Sequence, residues 1–244
     1  MAEKEYHIDV APGEVGKYVL LPGDPGRAEK IAQYFENPEE IAFKREFRTF
    51  TGTVDGIRVS VTSTGVGCPS AAIALEELIK VGAETFIRVG TAGSLQEKVE
   101  PGDLAIATGA IREEGTTLQY VPIEYPAVAH PDVLFALREA ARKLKYPHHL
   151  GITHCKDAFY SEEKGFSAQE ELNQMRWNTW MRANVIATSM EEAALFVLGS
   201  LRKVRVGSIL AVIGQTWAGK PIIPGIGPEK AIETALEAFR ILDK

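Results

Sequence analysis

Short apolar runs alternate with segments of helical period along almost the whole chain, and that alternation leaves few architectures open. KYVLLPG reads as a strand closed by a Pro/Gly turn, and GRAEKIAQYF as the helix after it. The pattern repeats with a strand in VDGIRVSVTSTGVG, a helix in PSAAIALEELIKVG stopped at Gly82, and a strand in ETFIRVGTAGSL. The last is apolar almost throughout, as expected of a strand buried on both faces. DLAIATGAI, HLGITHC, ANVIAT and VGSILAVIG predict further strands, while HPDVLFALREAARKL, SMEEAALFVLGSLR and GPEKAIETALEAFRIL predict further helices. Such alternation buries a mostly parallel or mixed sheet between helices, an α/β sandwich.

No linker, repeat or low-complexity tract interrupts the 244 residues, so residues 1–244 are expected to form one domain. Two stretches, 113–129 and 161–184, lack clear periodicity and are expected to be binding loops or lids that read the variable part of a substrate. With 27 Lys and Arg against 33 Asp and Glu, the net charge is −6, the wrong sign for attraction to nucleic acid or an anionic membrane. An anionic substrate would therefore need local positive charge. No apolar run is long enough to span a bilayer, and the polar N-terminus has no signal-like apolar region. Cys68 and Cys155 form no C-x-x-C pair, which disfavours a structural disulfide or a thiolate zinc site, and a cytoplasmic setting is expected.

Three clusters carry candidate chemistry. Gly23-Asp24-Pro25-Gly26-Arg27 lies between a strand and a helix, where glycines let backbone approach an anion and Arg27 adds a forked contact. A tight turn with a solvated arginine explains the same residues. Arg88 sits inside an apolar strand and is followed by Gly90-Thr91-Ala92-Gly93. Buried arginine needs a partner, either a phosphate at the strand's carboxyl end or an ion pair with Glu76 or Glu77. Met190-Glu191 opens a helix, where capping by Glu191 or Glu192 competes with a carboxylate gripping vicinal hydroxyls, and the residues alone favour capping. Phe159-Tyr160 suits stacking on an aromatic ligand or core packing alike. His148, His149 and His154 lack a convincing ligand set for a metal, and no serine has a hydrolase context.

Taken in order, YHI at 6–8, LPGDPGR at 21–27, KREFRTFTG at 44–52, STGVGCPS at 63–70 and the ALEEL helix resemble the nucleoside phosphorylase-I family, in particular its uridine phosphorylase branch. FIRVGTAGSLQ at 86–96, PGDLAIATGAIREEGT at 101–116, PIEYPAVA at 122–129, KDAFY at 156–160 and MEEAALF at 190–196 extend the resemblance. It implies a three-layer α/β/α sandwich with a central mixed β-sheet, and phosphate-dependent cleavage of uridine to uracil and ribose 1-phosphate. Gly23, Arg27, Arg88 and Thr91 would hold phosphate, completed by Arg45 from a neighbouring subunit. His7 would cross the interface to the ribose 5′-hydroxyl, while Thr91, Met190 and Glu191 would hold the ribose. Arg88, Glu191 and Arg27 would carry the catalytic load. The resemblance further implies a dimer as the catalytic unit, assembled into a hexamer, and inorganic phosphate as co-substrate with no organic or metal cofactor required. In some members a structural monovalent cation lies at the dimer interface, near the positions of Glu46, Val66 and Ser70.

Two departures concern the base. The uridine branch carries a glutamine and an arginine soon after the Phe-Tyr pair, whereas Phe159-Tyr160 is followed here by Ser161-Glu162-Glu163-Lys164-Gly165. Gln174 and Arg176 would supply the missing donors if the segment folded back; an exposed helix with two polar residues is the alternative. After the late strand stands Gln215, which hydrogen-bonds but cannot act as a general acid. Base contacts are thus assigned to Phe159, Gln174, Arg176 and Gln215, with a purine or broad-specificity phosphorylase as the other enzyme reading. A nucleosidase or a non-catalytic nucleoside-binding protein stands further off.

Overall fold

The expected alternation folds into one mixed sheet of ten strands, flanked by helices on both faces. The computed structural model describes residues 3–220, 222–223 and 225–244. In chain order the first half comprises β1 (Tyr18–Leu21), α1 (Pro25–Ala32), β2 (Glu36–Lys44), β3 (Phe47–Val54), β4 (Ile57–Thr62), α2 (Cys68–Lys80), β5 (Thr85–Ser94) and β6 (Leu104–Glu113). The second half comprises β7 (Ala127–Val128), α3 (Pro131–Leu144), β8 (His148–Lys156), α4 (Glu170–Arg182), β9 (Ala187–Ser189), α5 (Glu192–Arg202), β10 (Arg205–Gly214) and α6 (Pro228–Leu242).

Nine strands run in the order β10-β6-β8-β9-β5-β1-β4-β3-β2, and the tenth, β7, pairs with β6. Strand β10 also pairs in parallel with β5, so β5, β10, β6, β8 and β9 close on themselves while the other half stays open. Small and branched side chains fill the closed half, among them Ala92, Ala105, Ala187, Leu210 and Val212. Outside it, α2 and α5 cover one face through Leu75, Leu78 and Phe196. Helices α1, α3 and α6 cover the other through Ile31, Leu137 and Phe239. Each of these large side chains is almost fully buried, which stabilises the fold by roughly 1.5–3 kcal/mol apiece.

Local chemistry sets the ends that matter for the site. Asp24 caps α1, its carboxylate accepting the Gly26 amide at 2.9 Å, with Pro25 in the first turn. Helix α2 stops where Gly82 takes a φ of +103°, as the glycine predicted.

Two features depart from the expected pattern. The β2–β3 hairpin adds two strands, and β2 carries no apolar signal because it is an edge strand with Glu36, Glu39 and Glu40 exposed. Residues 170–182, read as irregular, form α4; only Trp177 is buried on it, too little for a helical period to show. The sulfurs of Cys68 and Cys155 lie 3.5 Å apart, both thiols free and buried.

Candidate active site

A cleft of about 1430 Å³ opens at the carboxyl ends of the parallel strands β1 and β5, and the last residue of β8, a strand of opposite direction, also lines it. The β1–α1 turn brings Gly23 and Arg27 to it, β5 brings Arg88 and Thr91, and the β9–α5 junction brings Met190 and Glu191. Phe159, just beyond β8, and Gln174 on α4 line the same space.

Arg88 is only 4% exposed. Its Nε donates to Glu192 Oε1 at 3.1 Å and its Nη2 to Glu191 Oε2, so the buried ion pair uses the α5 carboxylates. Glu76 and Glu77, the partners considered from sequence, instead pair with Arg202 and His7. Arg88 Nη1 is buried with no hydrogen-bond partner among the described residues. It lies 4.0 Å from where a Cβ on Gly23 would stand, so the free nitrogen faces the glycine turn. A buried donor left unmade costs about 1–3 kcal/mol, more when charged, which makes this nitrogen a seat for an anion. Arg27, on the turn's helical side, makes among the described residues only a long 3.5 Å contact from Nη1 to the Val89 carbonyl. Burial and then the Arg88 guanidinium push its pKa down, a repulsion that a bound anion would relieve. Burial opposes the charge on Arg88 itself, but Glu191 and Glu192 outweigh it and raise its pKa.

The two adjacent glutamates divide their work. Glu192 is fully buried, accepting from Arg88, from Ser208 Oγ at 3.1 Å and from Ser189 Oγ. Burial raises its pKa against the opposing pull of Arg88. Glu191 makes no capping bond to its own helix. Its Oε1 accepts the Gly67 amide at 2.9 Å across the cleft floor, and the residue lines the cavity. Two glycines make room here: a Cβ on Gly90 would sit 3.1 Å from Arg88 Nη2 and 2.7 Å from Leu210, and one on Gly93 would collide with Thr216 Oγ1 at 1.8 Å.

The other nominated residues lie elsewhere. Arg176 points to Glu113, with Nη1 3.2 Å from Oε1, and is not part of the cleft wall; neighbouring Gln174 is, bonded to Asn178 at 3.3 Å. Gln215 accepts from Lys220 Nζ at 2.6 Å, while Ile213 and Thr216 beside it line the cleft. Arg45 is exposed at the β2–β3 hairpin tip with φ of +56°, a left-handed geometry that L-residues adopt only at a cost of about 1–3 kcal/mol. The next residue, Glu46, lines the cleft and accepts from Ser70 Oγ at 2.8 Å. His7 packs its Nδ1 2.5 Å from Glu77 Oε1, and the His7 and Ile8 amides bond the same carboxylate. Burial would raise the Glu77 pKa, but these bonds together hold it below the ordinary value.

Sequence reasoning passed over Lys156, Glu162, Asn173 and Trp177, which also line the cleft. Lys156 carried a usable signal: it is a lysine closing a strand whose last four residues are buried, as Arg88 is a cation inside a buried strand.

The profile of the phosphorylase superfamily matches residues 17–235. The chain is 48% identical to the uridine phosphorylase of Treponema pallidum over 98% of this chain and 94% of that one. It is 40% identical to the guanosine phosphorylase of Halorubrum lacusprofundi, covering 98% and 96%. A crystal structure of uridine phosphorylase from Vibrio fischeri superposes with a TM-score of 0.88 at 32% identity, covering 99% of this chain and 98% of the other.

Proposed function

The chain belongs to the phosphorylase superfamily, and from that premise we propose that it is a uridine phosphorylase, a pentosyltransferase that cleaves uridine with phosphate. The observation that carries this is the partnerless Arg88 Nη1, facing Gly23 in the same cleft as Arg27, with Glu191 beside it. Phosphate seated between Gly23, Arg27, Arg88 and Thr91 is held where an oxygen can attack C1′ of a ribose gripped by Glu191 and Met190. The C1′–N1 bond breaks with its electron pair passing to the base, and a phosphate oxygen bonds C1′ to give ribose 1-phosphate. Positive charge building on the sugar ring is stabilised by the phosphate dianion, itself fixed by guanidinium groups already in place. The uracil anion takes its proton from water after release.

Arg45 and His7, which do not line this chain's own cleft, are assigned to the site of a neighbouring subunit, so a dimer forms the catalytic unit and trimers of dimers a hexamer. The exposure of Val66 (74%), Tyr6 (67%) and Phe43 (58%) suits a covered interface. Glu46 and Ser70, already hydrogen-bonded, supply oxygen donors of the kind a hard monovalent cation takes; with the Val66 backbone they would hold it there, with a structural role only. A place in cytoplasmic nucleoside salvage follows from this activity; no helix among the described residues is long and apolar enough to cross a membrane.

The second reading, a purine or broad-specificity phosphorylase, is favoured by the similarity to a guanosine phosphorylase and by a base end without the expected glutamine and arginine. Chromatography of uridine, thymidine, inosine and adenosine incubated with and without phosphate separates the two. Phosphate-dependent release of uracil with the purines inert supports the first. Release of hypoxanthine or adenine transfers the assignment to the second, and cleavage without phosphate overturns both.

A further inference from the structure

We propose that Lys156 and Glu162 read the base, selecting nucleosides whose base presents a ring carbonyl beside an N–H; this rests on the phosphorylase reading above. Lys156 ends β8 with its side chain 9% exposed, and lysine is seldom buried to that degree without a partner. Its partner is Glu162, on the short turn that begins with Phe159. The ammonium lies 5.3 Å from the Trp177 ring centre and 5.7 Å from that of Phe159. All four line the cleft that holds Arg88 and Glu191. They place a charged pair next to two aromatic surfaces suited to a flat ring.

The chemistry of the pair gives the selectivity. An ammonium only donates and a carboxylate only accepts, so side by side they match an edge that accepts and then donates. Uracil presents such an edge at O4 and N3–H, and hypoxanthine and guanine at O6 and N1–H. Cytosine and adenine present the reverse order, an amino donor beside a ring acceptor. Rotation about the glycosidic bond does not correct it, because neither base carries a ring N–H on that edge. Lys156 has N–H donors and Glu162 has lone pairs beyond those used in their mutual contact, so both retain capacity for a ligand. Burial pushes the Glu162 carboxyl pKa up against the pull of Lys156, the mark of a dry setting where such contacts are strong. As the glycosidic bond breaks, charge passes onto the base carbonyls, and the ammonium then strengthens its hold on the leaving group.

Phosphate-dependent turnover of uridine, cytidine, inosine and adenosine should be compared for the wild type and for Lys156→Met, Lys156→Arg and Glu162→Gln. A nitrophenyl riboside, whose leaving group needs no such help, reports on the phosphate and ribose ends alone. Lys156→Met is expected to lower kcat/KM for uridine about 100-fold while changing the nitrophenyl riboside less than about threefold, and Lys156→Arg to restore most of the loss. Glu162→Gln should reduce the preference for uridine over cytidine at least about tenfold. Equal losses on uridine and the riboside, or unchanged base ratios in Glu162→Gln, overturn the assignment while leaving the phosphorylase reading intact. If the wild type turns over no nucleoside, that reading fails instead; calorimetric binding of uracil then decides, weakened in Lys156→Met if the pair reads the base and unchanged if it does not. Should Lys156→Met not fold, Lys156→Arg and Glu162→Gln carry the comparison.

Discussion

The two ends of the cleft are built differently. At the anion end, Arg88 is locked by two carboxylates from α5 on a strand buried along its length. Glycines 90 and 93 hold neighbouring side chains too close for any Cβ. At the base end, Phe159 is 47% exposed, its turn lies between strand and helix, and α4 buries one tryptophan. Transition-state charge needs donors that do not reorganise, so the end that performs the chemistry sits on sheet ends and buried ion pairs. Base choice needs only a fitting edge, and loops can change it without disturbing the core. Activity should therefore fail at the first end and shift at the second.

The largest effect is expected from Arg88→Ala, which removes the anion seat and leaves Glu191 and Glu192 buried without their cation. Phosphorolysis should fall by about 10³-fold or more, with a stability loss of about 3–5 kcal/mol in denaturant unfolding. Retained phosphate-dependent turnover would break the comparison at its stronger end. Glu191→Gln keeps the shape but weakens both the grip on ribose hydroxyls and the hold on Arg88. Activity on uridine should drop about 100-fold, with less loss on 2′-deoxyuridine, which offers one hydroxyl fewer. Equal losses on the two sugars would remove Glu191 from ribose recognition.

Acid should loosen the base end. Glu113 ties α4 to the sheet, accepting from Trp180 Nε1 at 2.9 Å and Arg176 Nη1 at 3.2 Å, and bonding His154 Nε2 at 3.0 Å. The His154 bond first, then Trp180 and the charges of His154 and Arg176, prevail over burial and bring its pKa from the ordinary 4.5 to about 2. A carboxyl depressed on folding stabilises above its unfolded pKa, and that contribution is lost as pH falls from about 5 towards 2. After discounting for partial exposure, Glu113→Gln should lower stability by about 1–2 kcal/mol at pH 7, with the gap from wild type shrinking by pH 3. Urea unfolding at several pH values checks this; a gap independent of pH contradicts it. The smallest effect belongs to Arg176→Ala. That guanidinium faces Glu113 rather than the cleft, so uridine turnover should change less than about threefold. A large rise in KM would show that α4 turns Arg176 inward when substrate binds.

Legibility in the sequence follows the same division. Arg88 was visible because a charge inside an apolar strand beside glycines has few explanations. Its partners were not, since Glu191 and Glu192 lie 103 and 104 positions away, and nearer Glu76 and Glu77 suggested themselves instead. Closure of the sheet depends on β10 pairing with both β5 and β6, a long-range choice that no local pattern encodes. Helix α4 left no period because it buries one face for barely a turn, and Cys68 and Cys155 meet across 87 positions. The capping reading of Glu191 was sound for a carboxylate at a helix start; only the fold shows that it reaches across to the Gly67 amide.

The most direct test of the central claim is a crystal structure of the protein soaked with phosphate and a non-cleavable uridine analogue. The account predicts a phosphate oxygen within hydrogen-bond distance of Arg88 Nη1, between Gly23 and Arg27, with the ribose hydroxyls on Glu191. Phosphate bound elsewhere, with Arg88 Nη1 still unpaired beneath an occupied ribose site, would contradict it.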